Sequence, residues 1–151
     1  MGCGKSSVAN ALGSLTGLPV LDLDQEVERM TGRTIPEIFA SDGEAAFRKV
    51  ERSALESALA GESAIIATGG GAPCQDGVME LLSNWGNVVF LDAPFELLSR
   101  RVTQNGGRPK WRDDARELFK TRLPIYRQAK LTVDASQPLT DVASAIIEGL
   151  Q

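Results

Sequence analysis

The sequence predicts an α/β fold built on a parallel β-sheet. Short apolar runs alternate with stretches of helical periodicity along the 151 residues, an order typical of strands joined by right-handed crossover helices. The runs at 64–68 and 87–92 contain few polar residues, which favours strands that are buried on both faces. At this length we expect one domain over residues 1–151.

The first 60 residues contain one predicted strand. A helix follows the first residues and can end at Gly17, because glycine suits the left-handed end of a helix. Thr34 and Glu37 form a capping-box pattern, and apolar residues at helical spacing give the helix after it a buried face. The predicted elements are a helix from residue 8, a strand at 19–24, and helices at 25–31, 34–43 and 44–60.

The rest of the chain adds three strands, which brings the predicted total to four. Pro94 is expected to open a helix, since proline is favoured at the first helical position. Pro124 is expected to interrupt another, because it lacks a backbone N–H group. The predicted elements are strands at 64–68, 87–92 and 131–134, helices at 76–83, 95–103, 115–128 and 140–150, and a polar loop at 105–114.

The composition excludes several classes of function. The formal net charge of −4 argues against nucleic acid or an anionic membrane as the main partner, because both require a broad basic surface. The chain has no histidine, so histidine-based catalysis is excluded. Cys3 and Cys74 are too few for a disulfide scaffold, which fits a cytoplasmic location. No apolar run is long enough to predict a membrane span.

The start of the chain carries a motif for binding phosphate. Gly4, Lys5 and Ser6 match the second half of the loop G-x-x-x-x-G-K-[ST], whose lysine reaches the β- and γ-phosphates and whose hydroxyl ligates Mg²⁺. A chance cluster is the alternative. If the motif is a genuine phosphate loop, we expect its leading glycine and an apolar strand of about five residues ahead of residue 1. The predicted nucleotide-binding residues of the loop are Gly2, Cys3, Gly4, Lys5, Ser6 and Ser7.

Acidic residues and a run of glycines follow two of the predicted strands. With a period of two, Asp22 and Asp24 lie on one face of the first strand, although Asp24 could instead cap the next helix. The consecutive glycines at 69–71 cost backbone entropy. Their presence indicates that another group approaches this backbone closely.

Several segments recur in an order that is characteristic of one family. They are Gly-Cys-Gly-Lys-Ser-Ser, Leu-Asp-Leu-Asp, Gly-Glu-Ala-Ala-Phe-Arg-Lys-Val-Glu, Ala-Thr-Gly-Gly-Gly, Arg-Arg ahead of Gly-Gly-Arg-Pro, and Arg-Leu-Pro-Ile-Tyr. Together they resemble the shikimate kinase family over essentially the whole chain. The resemblance implies a P-loop NTPase three-layer fold with a five-stranded parallel sheet in the order 2-3-1-4-5, its first strand lying ahead of residue 1. It also implies transfer of the γ-phosphoryl group of ATP to the 3-hydroxyl of shikimate, with Mg²⁺.

The resemblance also implies roles for individual residues. Lys5 corresponds to the lysine of the phosphate loop, Asp24 to the acid that meets the reacting hydroxyl, and Arg108 to a lid arginine that reaches the phosphates, so these three are the expected catalytic residues. Mg²⁺ is expected at Ser6 and, through water, at Asp22. The remaining implied residues are Arg101 and Arg108 for ATP, and Asp24, Arg48, Gly69, Gly70, Gly71 and Arg122 for shikimate.

Elementary chemistry agrees with these roles. Arginine presents a planar fork that suits a carboxylate, and Arg48 and Arg122 lie on different elements, so they can hold one anion between them. Phosphoryl transfer depends on positioning and positive charge, which Lys5 and Arg108 supply. Residues 106–114 form the predicted lid loop.

Alternatives remain for several residues and for the function. Arg48 can belong to a solvated ion-pair face with Glu44 and Glu51. Arg108 can be a solvated loop charge, and Arg101, which is implied to lie against adenine, a helix-end charge. A related kinase would act on gluconate or a nucleotide, and a non-catalytic descendant would bind without turnover. We expect a monomer that binds shikimate and ATP, and neither nucleic acid nor membranes.

Overall fold

A computed structural model of the protein describes residues 3–104 and 114–151. Helices separate the strands along both ranges, with three consecutive helices between the first two strands. None of the described helices is long and apolar enough to cross a bilayer. The helices are α1 Lys5–Thr16, α2 Leu23–Thr31, α3 Ile35–Ser41, α4 Gly43–Leu59, α5 Val78–Trp85, α6 Phe95–Gln104, α7 Asp114–Tyr126 and α8 Leu139–Leu150. The strands are β1 Val20–Asp22, β2 Ile65–Ala67, β3 Val89–Asp92 and β4 Leu131–Asp134.

The strands of the described part form two parallel pairs. β1 lies beside β2, with Val20 opposite Ile65, and β3 lies beside β4, with Phe90 opposite Thr132. If the four described strands are the second to the fifth in the order 2-3-1-4-5, the observed pairs are the expected neighbours. The prediction of an α/β fold with parallel strands is confirmed.

An apolar slot separates the two pairs of strands. β2 and β3 both line a cavity of about 420 Å³, and no ladder of hydrogen bonds joins them in the described part of the chain. Ile66 and Phe90 line the slot from the strands, and Val8 and Leu12 line it from α1. The slot lies where the order 2-3-1-4-5 has a further central strand, and that strand stays a prediction.

Apolar clusters hold the helices around the strands. The largest joins α2, α3, α4 and α5, and its members Leu23, Val27 and Ile38 are fully buried. A second cluster packs α1 and α8 against β4 through Val8 and Ile146. Because α1 contacts α8 as well as β1 and β2, this helix bridges the two pairs of strands.

The main difference from prediction lies where β1 ends. The strand predicted at 19–24 stops at Asp22, whose carboxylate caps α2 by accepting a hydrogen bond from the backbone N–H of Asp24 at 3.0 Å. An aspartate at this position stabilises the helix because it satisfies a free N–H group of the first turn. Asp24 therefore lies within α2. The predictions that it shares a strand face with Asp22, or caps the helix itself, are wrong.

Candidate active site

The beginning of α1 has the local geometry of a phosphate-binding loop. Gly4 is left-handed, with φ 80°, a conformation that glycine adopts without the steric cost of a side chain. Its carbonyl accepts a hydrogen bond from the N–H of Val8 at 2.9 Å. Lys5 and Ser6 lie in the first helical turn, where free N–H groups and the helix dipole favour an anion.

The loop lies at the carboxyl ends of β3 and β4. Cys3 packs against a cluster formed by Ala93, Leu98 and Ala135, and two of these residues directly follow those strands. This edge of a parallel sheet is where α/β proteins bind their ligands. Ser7 is exposed in the first turn of α1, and Gly2 lies outside the described residues.

The two residues predicted to hold Mg²⁺ contact each other. The Ser6 hydroxyl donates a hydrogen bond to the Asp22 carboxylate at 2.7 Å. The described residues contain no cluster of three or more histidine, cysteine, aspartate or glutamate side chains able to hold a metal. Mg²⁺ is usually held by one or two protein groups together with substrate phosphates and waters. The hydroxyl and carboxylate oxygens found here fit that kind of site.

Asp24 lies in a crevice next to the phosphate loop. The residue as a whole is exposed, yet partial burial raises the pKa of its carboxyl, and the charge of Asp22 raises it further. The ammonium of Lys5 and the guanidinium of Arg48 oppose the rise in pKa. Both cations therefore lie close enough to act on the carboxyl that is predicted to meet the reacting hydroxyl.

The three consecutive glycines leave room for the charged side chains around them. A Cβ atom built on Gly71 would lie 2.6 Å from the Cζ atom of Arg48, so a side chain here would displace the guanidinium. A Cβ atom built on Gly69 would lie 3.2 Å from Oδ1 of Asp24 and 3.3 Å from Oε1 of Glu51. The expectation that other groups closely approach this backbone is confirmed.

Arg48 is held by two carboxylates of its own helix. Its Nη1 donates to Oε2 of Glu51 at 2.6 Å, and its Nη2 to Oε1 of Glu44 at 3.2 Å. Burial would lower the pKa of Arg48, but these hydrogen bonds raise it. The side chain of Glu44 is 65% exposed, whereas that of Glu51 is 2% exposed. The interpretation of this group as a solvated ion-pair face therefore fails at Glu51.

Glu51 is a functional candidate that ends one of the family segments, but sequence reasoning gave it no role beyond an ion pair with Arg48. It lies on the buried face of α4 together with Phe47, Ala54 and Leu55, and burial raises the pKa of its carboxyl. Buried acids are rare unless they are paired. A glutamate placed within an apolar stripe was the signal in the sequence that could have identified it.

Arg122 and Tyr126 approach the glycines from α7. The Tyr126 hydroxyl donates to the carbonyl of Gly70 at 2.6 Å, and burial raises the pKa of Tyr126 to about 12. A Cβ atom built on Gly70 would lie 4.0 Å from Nη1 of Arg122. Pro124 was expected to interrupt this helix, but it lies inside α7, which continues to Tyr126. Tyr126 belongs to the Arg-Leu-Pro-Ile-Tyr segment, which was the available signal for its contact with the site.

The crevice is the space beside the glycine run that Asp24, Arg48 and Arg122 approach. Lys5 and Arg48 act on the pKa of Asp24, while Asp24 and Arg122 act on the pKa of Glu51. Three sequence-predicted elements, namely the phosphate loop, the glycine run and α7, are thus brought together around Asp24.

Of the two predicted ATP residues outside the phosphate loop, one is described and one is not. Nη1 of Arg101 donates to the carbonyl of Ala135 at 3.0 Å, which places this guanidinium at the carboxyl end of β4. Arg108 and residues 106–113 of the predicted lid lie outside the described residues, so their predicted roles are not tested.

Comparison with known proteins agrees on one family. A sequence model of the family "Shikimate kinase" matches residues 1–151. The shikimate kinase of Aquifex aeolicus is 34% identical over 151 residues, covering 98% of this chain and 90% of that protein. The structure of shikimate kinase from Acinetobacter baumannii in complex with shikimate is 38% identical, with a TM-score of 0.90, covering 98% of this chain and 87% of that one.

A gluconokinase is more distant. The structure of a gluconokinase from Sinorhizobium meliloti 1021 has a TM-score of 0.61 and 20% identity, covering 99% of this chain and 86% of that one, so the likeness shows a common fold alone. Since the family model spans the whole chain, and relatives above 30% identity cover nearly all of it, the chain belongs to the shikimate kinase family.

Proposed function

We propose that the protein transfers the γ-phosphoryl group of ATP to the 3-hydroxyl of shikimate, which gives shikimate 3-phosphate and ADP. The observation that carries this proposal is the convergence of Asp24, Arg48 and Arg122 around the glycine run, with Lys5 close to Asp24. The two arginines that can bind an anion and the phosphate-binding loop thereby lie near the same carboxylate, that of Asp24. Membership of the shikimate kinase family supports the same reaction.

The arginines and glycines are proposed to hold the substrate. Shikimate carries a carboxylate, for which Arg48 and Arg122 offer guanidinium groups from two different helices. Glu44 and Glu51 occupy part of the Arg48 guanidinium, and its remaining N–H groups stay available for a ligand. Backbone groups of Gly69, Gly70 and Gly71 can approach the hydroxyls because no side chain intervenes.

Lys5, Asp24 and Arg108 are proposed to promote the transfer itself. The 3-hydroxyl oxygen forms a bond to the γ-phosphorus while the bond from that phosphorus to the ADP oxygen breaks. Asp24 orients the hydroxyl and accepts its proton, which suits a carboxyl whose pKa is raised. Lys5 and Arg108 offset the charge that spreads over the phosphoryl oxygens.

The nucleotide and its metal are proposed to bind at the start of α1. Residues 2–7 would surround the phosphates with backbone N–H groups, and Arg101 would lie against adenine. Ser6 and Asp22 would hold Mg²⁺. This ion would supply positive charge that offsets the charge of the phosphates.

A coupled ADP-release assay tests the proposal. We expect turnover with shikimate and ATP, and no turnover above background with gluconate in place of shikimate. Phosphorus NMR of the product should show a new phosphate monoester on shikimate. ADP release that is equal with gluconate, or binding of both ligands without turnover, would contradict it.

The alternative functions have weaker support. Gluconate phosphorylation has only a likeness of fold in its favour, and a non-catalytic descendant is disfavoured because Lys5, Asp24 and Arg108 are all retained. We further propose that residues 1–151 act as one domain and as a monomer in the cytoplasm. The net charge of −4 supports the absence of nucleic-acid and membrane partners.

A further inference from the structure

Glu51 has a second hydrogen-bond donor besides Arg48. Nε2 of Gln75 donates to Oε2 of Glu51 at 2.9 Å, and the same oxygen accepts from Arg48 at 2.6 Å. Gln75 is half-buried and lies on the segment that follows the glycine run. One carboxylate oxygen thus joins the arginine of α4 to a side chain that is distant in sequence.

The backbone of Gln75 is well anchored. Its N–H donates to the carbonyl of Ala72 at 3.2 Å, which closes a short 3-10 helix at Ala72–Cys74. Its carbonyl accepts from the N–H of Val78 at 3.1 Å, at the start of α5. Because both backbone groups are engaged, the amide of Gln75 is presented to Glu51 from a fixed point.

The neutral amide suits the charge balance of this cluster. The pKa of Glu51 is affected by two positive groups, Arg48 and Arg122, and by one negative group, Asp24. A buried carboxylate needs more than one hydrogen bond to remain ionised and in place. A lysine or arginine at position 75 would satisfy Glu51 but would compete with Arg48 for it. Gln75 satisfies Glu51 without adding a charge.

We propose that Gln75 is a positioning residue for binding of the substrate carboxylate: its side-chain amide fixes Glu51, and Glu51 in turn fixes the guanidinium of Arg48. Gln75 itself need not touch the substrate. Gly71 completes the arrangement, since a side chain there would collide with Arg48. The inference rests on the proposed function, because it assigns the carboxylate of shikimate to Arg48.

Gln75→Met tests the inference, because it removes the donor and keeps the length of the side chain. We expect KM for shikimate to rise about tenfold, the order expected when a hydrogen bond to a charged group is lost. KM for ATP and kcat should stay within about twofold of the wild type. Gln75→Glu, which has nearly the same size, should raise KM for shikimate further, because two carboxylates would then face each other.

Arg52 provides a matched control on the same helix and the same loop. Its Nη1 donates to the carbonyl of Asp76 at 2.9 Å, so Arg52→Met also removes a bond from α4 to this segment, but not one to Glu51. We expect Arg52→Met to leave KM for shikimate within about twofold. A rise equal to that of Gln75→Met would mean that the loop only needs tethering and would overturn the inference.

A double-mutant cycle with Glu51→Met separates a direct effect of Gln75 from one that acts through Glu51. If the proposal holds, Gln75→Met should have no further effect on KM in the Glu51→Met background. An unchanged KM for shikimate in Gln75→Met, or an equal rise in KM for ATP and shikimate, would refute the role of Gln75 and leave the proposed function standing. A wild-type protein that does not phosphorylate shikimate would instead refute the proposed function and this inference with it.

Discussion

The polar crevice beside the glycine run and the apolar slot between β2 and β3 both border β2, but they are completed in different ways. In the crevice, Glu51 receives two hydrogen bonds and the carbonyl of Gly70 accepts from Tyr126. In the slot, the facing edges of β2 and β3 are not joined by ladder hydrogen bonds in the described part of the chain. The cavity between them has a volume of about 420 Å³.

The contrast shows which interactions side chains can supply and which need a backbone. A buried carboxylate is satisfied by side chains from any nearby element, so the crevice is built from α2, α4, α7 and the glycine run. A strand edge presents a regular row of N–H and C=O groups, which only another extended segment matches. Substitution of single side chains should therefore impair the function of the crevice. The stability of the slot should instead depend on whether an extended segment fills it.

Replacing the central acid of the crevice should have the largest effect. Asp24→Asn keeps the size of the side chain but cannot accept the proton of the hydroxyl, so kcat should fall by about 10²–10⁴-fold. The ADP-release assay measures the loss, and shikimate binding by calorimetry serves as the control. A variant that retains kcat within tenfold would show that Asp24 is not the acceptor.

Truncation of a core residue near the crevice should cost more stability than truncation beside the slot. Leu55 is 1% exposed within the largest cluster, so Leu55→Ala should cost about 2–5 kcal/mol. Leu91 is half-buried and lines the slot, and Leu91→Ala should cost less than half as much, because part of its surface has no packing partner. Urea unfolding measures both, and equal costs would mean that the slot is as well packed as the core.

Filling the slot should stabilise the protein. An added N-terminal strand of about five valine, isoleucine or leucine residues, followed by a glycine-containing turn, should raise the free energy of unfolding by on the order of 3 kcal/mol, since apolar burial exceeds the entropy of ordering. Hydrogen exchange should slow at the amides of β2 and β3. A glycine–serine extension of equal length is the control, and equal protection by both extensions would argue against a strand in the slot.

Loss of the Tyr126 hydroxyl should have a smaller effect. Tyr126→Phe leaves the carbonyl of Gly70 without this donor, which should cost about 1 kcal/mol of stability. It should also raise KM for shikimate by a few-fold, since Gly70 is less well fixed. Phe90→Leu changes the ring packed 5.3 Å from Tyr126 without altering the hydrogen bond, so its effect on KM should be smaller.

The pH dependence of stability should show the smallest effect. Because the folded-state pKa of Asp24 is raised by burial, its ionised form costs stability above that pKa, and the cost disappears as the pH falls through it. The free energy of unfolding of Asp24→Asn should therefore exceed that of the wild type at pH 7–8, by less than about 1 kcal/mol at this solvent-accessible site. The variant should melt at a slightly higher temperature. The difference should vanish in acid, and a variant that melts below the wild type at pH 8 would contradict the raised pKa.

Local patterns were sufficient to predict much of the fold and part of the site. The capping box at Thr34 and Glu37 forms as expected, and the strand at 131–134 has the predicted bounds. Both depend on neighbours within a few residues, so the sequence specifies them directly. The motif at Gly4, Lys5 and Ser6 predicted that a helix follows the loop for the same reason, although the helix begins at Lys5 rather than at residue 8.

Tertiary structure alone decided which distant side chains meet. In the sequence, Glu44 and Glu51 are equally suitable ion-pair partners for Arg48. Only packing shows that Glu51 is buried while Glu44 faces solvent. The bond from Gln75 to Glu51 joins residues 24 positions apart, and local spacing carries no information about such a contact. The end of β1 at Asp22 was also undetermined, because an aspartate can extend a strand or cap a helix. Here Asp22 caps the helix, because its carboxylate satisfies a free N–H group in the first turn of α2.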